Sequence, residues 1–387
     1  MPLRVLQICE ATSAGVGRHA IDLIEGLLQS GCEVHLLYSE ARIDDEFRRG
    51  LRSLAGLHSQ VLEMHRKPHP RDSLAVAAVR RYIRQHGPFD VVHGQSSKGG
   101  AIARVAGAMT GTPVIYTPHC IVTMAPTFGR LARRVFRWAE WVLAFPTHTI
   151  IAVSQDECDH IRALGVPASK LRVIHNGIKP LTYTDQKPIR QSLGIAPDAV
   201  VVGFVGRFSA QKNPELLLES FAAASSDPQV QLALIGSGEL EPAVKSLAKQ
   251  LGIDERIHWL GYRNGYECMP AFDVLAIPSR YEGLPYVMLE GLSAGIPMVI
   301  TNVGGVEGVI HDGQNGFVVP ADDAASMTIA LRKLLESTSL RERMSTAARA
   351  TAVEFSTANM VRRTLEIYQQ CQLRRGAQLA ASSTQSQ

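Results

Sequence analysis

Short apolar runs alternate with longer amphipathic stretches along most of this chain, and that rhythm narrows its fold further than any other feature. "LRVLQI" (3–8) precedes a helix-like "GRHAIDLIEGLLQSG" (17–31), then come "EVHLLY" (33–38), "FDVVHG" (89–94), "TPVIYT" (112–117) and "HTIIAVS" (148–154). Apolar runs this short, separated by stretches with helical periodicity, are the βαβ pattern of a parallel sheet with helices on both faces. The rhythm weakens over 176–199, a polar, proline-containing stretch that reads as a linker. A second series follows: "VVVGFVGR" (200–207), "PELLLESFAAASS" (214–226), "VQLALIGSG" (230–238), "LEPAVKSLAKQLG" (240–252), "IHWLGY" (257–262), "VLAIPS" (274–279) and "PMVITNVGG" (297–305). The fold class expected is therefore α/β, with two Rossmann-like doubly wound domains in tandem. Ligands of such sheets bind at the carboxyl ends of the strands, so a cleft between the two sets of strand ends is the expected site. A helical stretch from about Ala325 to Gln372 closes the chain, and "GAQLAASSTQSQ" (376–387) reads as a disordered tail.

At 387 residues the chain has room for two domains of ordinary size. Charge is uneven between them: residues 1–180 hold 22 Lys and Arg against 15 Asp and Glu, and the remainder holds 18 against 21. A basic first half suits an anionic partner such as a phospholipid surface or a phosphorylated substrate, and a solvated surface bias accounts for it equally well. The six cysteines show no metal or redox spacing, which points to a reducing compartment. "LRVLQI" starts without a signal-peptide pattern, and no apolar segment is long enough to span a bilayer, so a cytoplasmic protein is expected.

Several motifs sit where strands end. "EATSAGVGRH" follows the first strand, and Gly15 and Gly17 would let a phosphate approach the next helix N-terminus. An ordinary strand-to-helix turn also wants glycine. "GRFSAQKNPE" puts Arg207 and Lys212 in the loop after the first strand of the second half, an Arg fork and a Lys point charge suited to a diphosphate, or else a solvated pair. "SRYEGLPYVMLEGLSAGIPMVI" (279–300) carries two carboxylates in an apolar run. Glu282, with Gly283, Leu284 and Pro285, falls at a strand rim, and Glu290 in the second turn of the helix that follows. Both suit vicinal hydroxyls; a helix-start carboxylate and a core ion pair are the plainer alternatives. "VIYTPHC" ends a strand at His119, and "VVHGQSSKGG" ends another with His93 and Ser96. A rim histidine of this kind is by itself more often structural. Finally, "TFGRLARRVFRWAEWVL" (127–143) would form a helix with Arg130, Arg133, Arg134 and Arg137 on one stripe and Leu131, Val135, Trp138 and Val142 on another. That is the pattern of an interfacial helix and also of a core-facing helix with a solvated basic side.

Taken together, "GRFSAQKNPELLLESF", "LIGSGEL", "IHWLGY", the 279–305 segment and "DGQNGFVVP" resemble the family 4 glycosyltransferases of the two-Rossmann GT-B kind over nearly the whole chain. The resemblance implies a first domain over 1–179, a nucleotide-sugar domain over 180–355 and a closing helix over 356–375 packed back on the first domain. It implies retaining transfer of a sugar from a UDP- or GDP-sugar, with no metal or other cofactor and with Glu282, His119, Arg207 and Lys212 in catalytic positions. Glu290 would hold the ribose, Glu282 the donor sugar, Arg207 and Lys212 the diphosphate, and Gly261, Tyr262 and Arg263 the base; Gly15 and Gly17 would cover the phosphates. The sequence departs from the family pattern at "AGVGRH", where adjacent glycines are usual, and at Asn176-Gly177-Ile178-Lys179. With the basic first half and the arginine-striped helix, the acceptor expected is a saccharide or a polyprenyl-linked glycolipid at the inner face of a membrane, in surface-polysaccharide assembly. No nucleic-acid partner is implied. The alternatives are a nucleotide-sugar epimerase or phosphorylase and a non-catalytic nucleotide-sugar-binding protein.

Overall fold

The structure is a computed structural model describing residues 2–124, 129–180 and 186–384, with side chains described as far as Leu373. The chain divides into two units, one made of Met1–Gly177 and Thr357–Gln387, the other of Ile178–Ser356.

The first unit alternates β1 (Arg4–Cys9), α1 (Ala14–Gln29), β2 (Glu33–Tyr38), α2 (Asp45–Ser53), β3 (His58–Val61), α3 (Asp72–His86), β4 (Val91–Gln95), α4 (Ser96–Thr110), β5 (Val114–Thr117), α5 (Arg130–Ala144), β6 (Thr149–Ala152), α6 (Gln155–Ala163) and β7 (Leu171–Val173). The strands form one sheet in the order β3-β2-β1-β4-β5-β6-β7, and every pairing is parallel. Val5, Leu6, Ile8 and Cys9 of β1 and Val91 and Val92 of β4 are fully buried, because helices cover both faces of the sheet. The strand order reverses between β1 and β4, which puts their carboxyl ends at the position where doubly wound sheets bind ligands.

The second unit contains α7 (Gln186–Ser192), β8 (Val200–Val205), α8 (Pro214–Ala224), β9 (Val230–Ile235), α9 (Glu241–Gln250), β10 (Ile257–Gly261), α10 (Gly265–Cys268), β11 (Val274–Ile277), α11 (Tyr286–Ala294), β12 (Met298–Thr301), β13 (Gly316–Val319), α12 (Ala324–Glu336) and α13 (Thr338–Ala352). Its sheet runs β10-β9-β8-β11-β12-β13 and reverses between β8 and β11. The core gathers Phe204, Phe208, Leu217, Phe221 and Leu232 with Met327 and Leu331 of α12.

The chain then returns to the first unit as α14 (Thr357–Thr384), which packs on α1 so closely that a Cβ on Gly26 would lie 2.5 Å from a methyl of Val361. This helix continues to Thr384, past Arg375, so it occupies most of the stretch expected to be a disordered tail. "AQLAA" in that stretch consists of good helix formers that can extend a helix already held by packing. Among the described residues, no helix is long and apolar enough to cross a membrane.

Candidate functional site

In the second unit, the loops after β8 and β11 face each other across the strand reversal and are laced together. Lys212 Nζ donates to Glu282 Oε1 at 2.6 Å. Gln211 Nε2 donates to the Tyr281 carbonyl at 3.0 Å, and the Arg280 amide donates to the Gln211 carbonyl at 2.8 Å. The Arg280 guanidinium reaches the Ala210 carbonyl and Asp322. The carboxylate that looked out of place in an apolar run is therefore paired: Glu282 is 8% exposed and its charge is met by the ammonium. Sequence reading put these two side chains on different parts of a ligand, whereas here each is the other's partner. Gln211, Arg280 and Asp322 carry no sequence signal, since their partners lie 42 or more positions away.

Arg207 lies at the carboxyl end of β8, exposed, and among the described residues it forms no ion pair. Its stem lies over Gly238, where a Cβ would come 2.9 Å from Arg207 Cγ. Beneath it, Gly236 takes φ +137° and a Cβ there would fall 1.9 Å from the Gly206 carbonyl oxygen, so only glycine fits. The Gly236 amide donates to the Gly261 carbonyl at 2.8 Å, which ties the β9 loop to the end of β10. Tyr262 beyond it is exposed, and Arg263 Nε donates to the Leu260 carbonyl at 3.1 Å. Glu290 sits in the second turn of α11, 8% exposed, while Pro285 caps that helix. The Gly283-Leu284 backbone is pressed against Gly305 at φ +82°, where a Cβ would lie 2.3 Å from the Gly283 oxygen. Ser279 Oγ, just beyond β11, is buried without a hydrogen-bond partner among the described residues. Two cations, two carboxylates and a glycine floor at a strand reversal form a site for an anionic ligand that also bears hydroxyls.

The rim of the first unit differs from expectation at its glycines. Helix α1 begins at Ala14, so Gly15 and Gly17 lie inside its first turn rather than in a turn before it. Asp44 causes this: its carboxylate accepts from the Ala14 amide at 2.8 Å and from the Phe47 amide at 2.8 Å, so a side chain already holds one amide that a phosphate would use. Gly17 serves close packing, since a Cβ would meet the Thr12 backbone at 3.0 Å and the Phe47 ring at 3.2 Å.

Three segments beyond strand ends of this unit hold non-glycine residues at positive φ: Ala14 (51°), Ser96 (64°), and His119 and Cys120 (56° and 79°). Such strain persists only where the surroundings over-determine it, and it clusters at functional sites. His119 Nε2 donates to Gln95 Oε1 at 2.8 Å. Gln95 Nε2 donates to Gln7 Oε1 at 3.0 Å, and Gln7 Nε2 donates to the Tyr368 hydroxyl at 2.9 Å. Tyr368 also meets His93 Nδ1 at 2.5 Å, and His93 Nε2 meets Thr117 Oγ1 at 2.8 Å. A buried relay thus runs from α14 through β1 and β4 to the rim histidine. His19 stands edge-on to His119 with ring centroids 4.4 Å apart, and its Nδ1 has no partner among the described residues. Burial lowers His19 to about 4 and His93 to about 3. Burial, then the neighbouring histidines, holds His119 well below its ordinary value. All three are neutral at pH 7, so His119 can exchange hydrogen bonds with a hydroxyl but carries no charge for a phosphate.

Among the described residues, one group with metal-ligand spacing exists, Glu33, His35 and His58. Glu33 and His58 start β2 and β3, at the amino edge of the sheet, and Glu33 is already held by Arg4 at 2.6 Å.

Two family profiles match the chain: Glycosyltransferase Family 4 over residues 13–180 and Glycosyl transferases group 1 over residues 185–351. A glycosyltransferase of Methanocaldococcus jannaschii, MJ1607, is 24% identical over 379 residues, covering 92% of this chain and 94% of its own. The Escherichia coli UDP-Gal:alpha-D-GlcNAc-diphosphoundecaprenol alpha-1,3-galactosyltransferase is 29% identical over 259 residues, 64% of this chain and 67% of its own. Among solved structures, Anabaena Alr3699/HepE in complex with UDP-glucose superposes with a TM-score of 0.80 at 22% identity, covering 95% of this chain and all of that one, which shows a shared fold.

Proposed function

The chain belongs to family 4 of the glycosyltransferases, with two Rossmann-like domains of the GT-B kind, and moves a sugar from a nucleotide sugar; on that premise we propose that it does so with retention, onto a lipid-linked saccharide. Membership of a glycosyltransferase family speaks for transfer against the epimerase, phosphorylase and non-catalytic alternatives. The observation that carries the reading is the Lys212–Glu282 pair at the β8/β11 reversal, with Arg207 beside it.

In the proposed reaction, Arg207 and Lys212 hold the diphosphate and stabilise the charge that grows on it as the bond to the anomeric carbon breaks. These two cations supply that charge without a divalent metal. Glu290 accepts from the ribose hydroxyls, and the Gly261–Arg263 segment meets the base. Glu282, held by an ammonium at 2.6 Å, is a poor nucleophile, which favours attack by the acceptor hydroxyl from the face the diphosphate leaves. The acceptor oxygen bonds to the anomeric carbon, the sugar–phosphate bond breaks, and the departing phosphate oxygen takes the hydroxyl proton. His119, neutral and fixed by Gln95, offers Nδ1 to a substrate hydroxyl.

The Escherichia coli relative's name gives it a diphosphoundecaprenol-linked saccharide as acceptor, which supports a lipid-linked acceptor here; the setting proposed for it is surface-polysaccharide assembly at the inner face of the cytoplasmic membrane. The Anabaena complex makes UDP-glucose the first donor to test. The experiment is to incubate the enzyme with UDP- and GDP-sugars and a short-chain polyprenyl-diphosphate saccharide, then read anomeric configuration by NMR. Acceptor-dependent release of nucleoside diphosphate with an axial donor bond conserved in the product is expected; an inverted product would end the retaining reading.

A further inference from the structure

Helix α5 is turned the opposite way from an ordinary surface helix. Its buried residues are Glu140 and Ala144, while Leu131 is 76% exposed, Val135 55%, Trp138 65%, Trp141 43% and Phe145, the residue that caps it, 64%. The acid points in, while Trp138, Trp141 and Phe145 point out and Phe136 is half-buried. Glu140 is held by Arg104, itself fully buried, at 2.8 Å. The Arg104 guanidinium also lies 4.0 Å above the Tyr116 ring. An ionic tie thus fixes one side of the helix, and the apolar side chains are left free of that task.

At 100° per residue the five exposed apolar residues fall within an arc of about 120°, and Arg130, Arg133, Arg134 and Arg137 fall on an arc that overlaps one edge of it, with Arg134 between Trp141 and Phe145. All four arginines are exposed and the helix shows no exposed carboxylate, since its single acid is Glu140. An apolar patch with two tryptophans would suit several occupants; the overlapping run of cations, on the half of the chain with the basic excess, selects a negatively charged one. We propose that the outward face of α5 docks on an anionic phospholipid bilayer, with Trp138, Trp141 and Phe145 at the headgroup boundary and the arginines on lipid phosphates. This docking does not depend on the donor chemistry, and its test does not use catalysis.

The experiment is co-sedimentation with vesicles of equal parts phosphatidylglycerol and phosphatidylcholine, against vesicles of phosphatidylcholine alone. Binding to the anionic vesicles that weakens with added salt is expected. Arg134→Gln with Arg137→Gln should weaken it by about fivefold per arginine. Trp138→Ala should weaken it without changing its salt dependence. Arg81→Gln with Arg84→Gln removes the same charge from the exposed side of α3 and should leave binding unchanged, with thermal melts showing that all variants fold. Equal loss in the α3 variant, equal binding to neutral vesicles, or no binding would each overturn the proposal. So would concentration-dependent self-association without lipid that Trp138→Ala abolishes, because the face would then belong to a second copy of the chain.

Discussion

At the scale of single residues, the site in the second unit depends on a contact that no spacing reveals. Arg207, Lys212 and Glu282 could be picked out because each follows a strand, and Glu290 because it is a carboxylate in the second turn of an otherwise apolar helix. That Lys212 and Glu282 meet could not, because they lie on loops brought together only by the pairing of β8 with β11. Lys212→Ala removes a cation that faces the leaving group and also leaves Glu282, 8% exposed, without its ammonium. Turnover should fall by about 10²- to 10³-fold, and single-turnover kinetics should place the loss in the chemical step. Lys212→Ala with unchanged turnover would remove the leaving-group role. The histidines teach the same lesson: His119 was visible as a strand-end residue, but its neutrality and its relay through Gln95, Gln7 and Tyr368 required three strands and α14 to be assembled.

At the scale of elements, ten of the thirteen described strands were legible because apolar runs buried on both faces have few other uses; β3, which is exposed, and the short β7 and β13 give no such run, and the stretch that reads as a linker holds α7. The start of α1 was not. "SAGVG" looks like a turn, and the residue that makes it helical, Asp44, arrives from the loop before α2 to cap both helices. Glycines are also ambiguous from sequence, since the same letter marks a flexible turn and a point where two backbones nearly touch. Gly236 is of the second kind. Gly236→Ala would push a methyl to within 1.9 Å of the Gly206 oxygen at φ +137°, so β8 and β9 would have to separate at the end that carries Arg207. Destabilisation of about 2 kcal/mol or more is expected in urea unfolding, together with weaker nucleotide binding. Gly252→Ala, also at positive φ but with open space around it, should leave nucleotide affinity as it was.

At the scale of the whole molecule, the two units should respond differently to acid. The first unit buries His19 and His93 in neutral form, at about 4 and about 3 against an ordinary 6.5. Below pH 6.5 the unfolded chain takes up these protons and the folded one does not. Their contribution to stability is therefore complete above 6.5 and declines as pH falls toward the folded values, by about 1.4 kcal/mol per pH unit for each ring. Between pH 6.5 and 5 the pair should lose about 3 kcal/mol; His119 and His35, also lowered chiefly by burial, add the same sign. Glu157 and Glu46, whose carboxyls burial pushes up, oppose it. Glu33, held at about 2 chiefly by Arg4, loses its contribution only below 4.5, outside this window. In the second unit, the histidine lowered by burial is the half-buried His258, and His311 is exposed. Urea unfolding followed by hydrogen exchange should show protection of β1, β4 and β5 falling between pH 7 and 5 while β8, β9 and β11 hold. Replacing His93 with Gln, which keeps hydrogen-bonding groups but does not titrate, should flatten that slope. Equal protection of the β1 sheet at both pH values would show that its histidines are protonated in the folded state, and His119 would then be available as a cation after all.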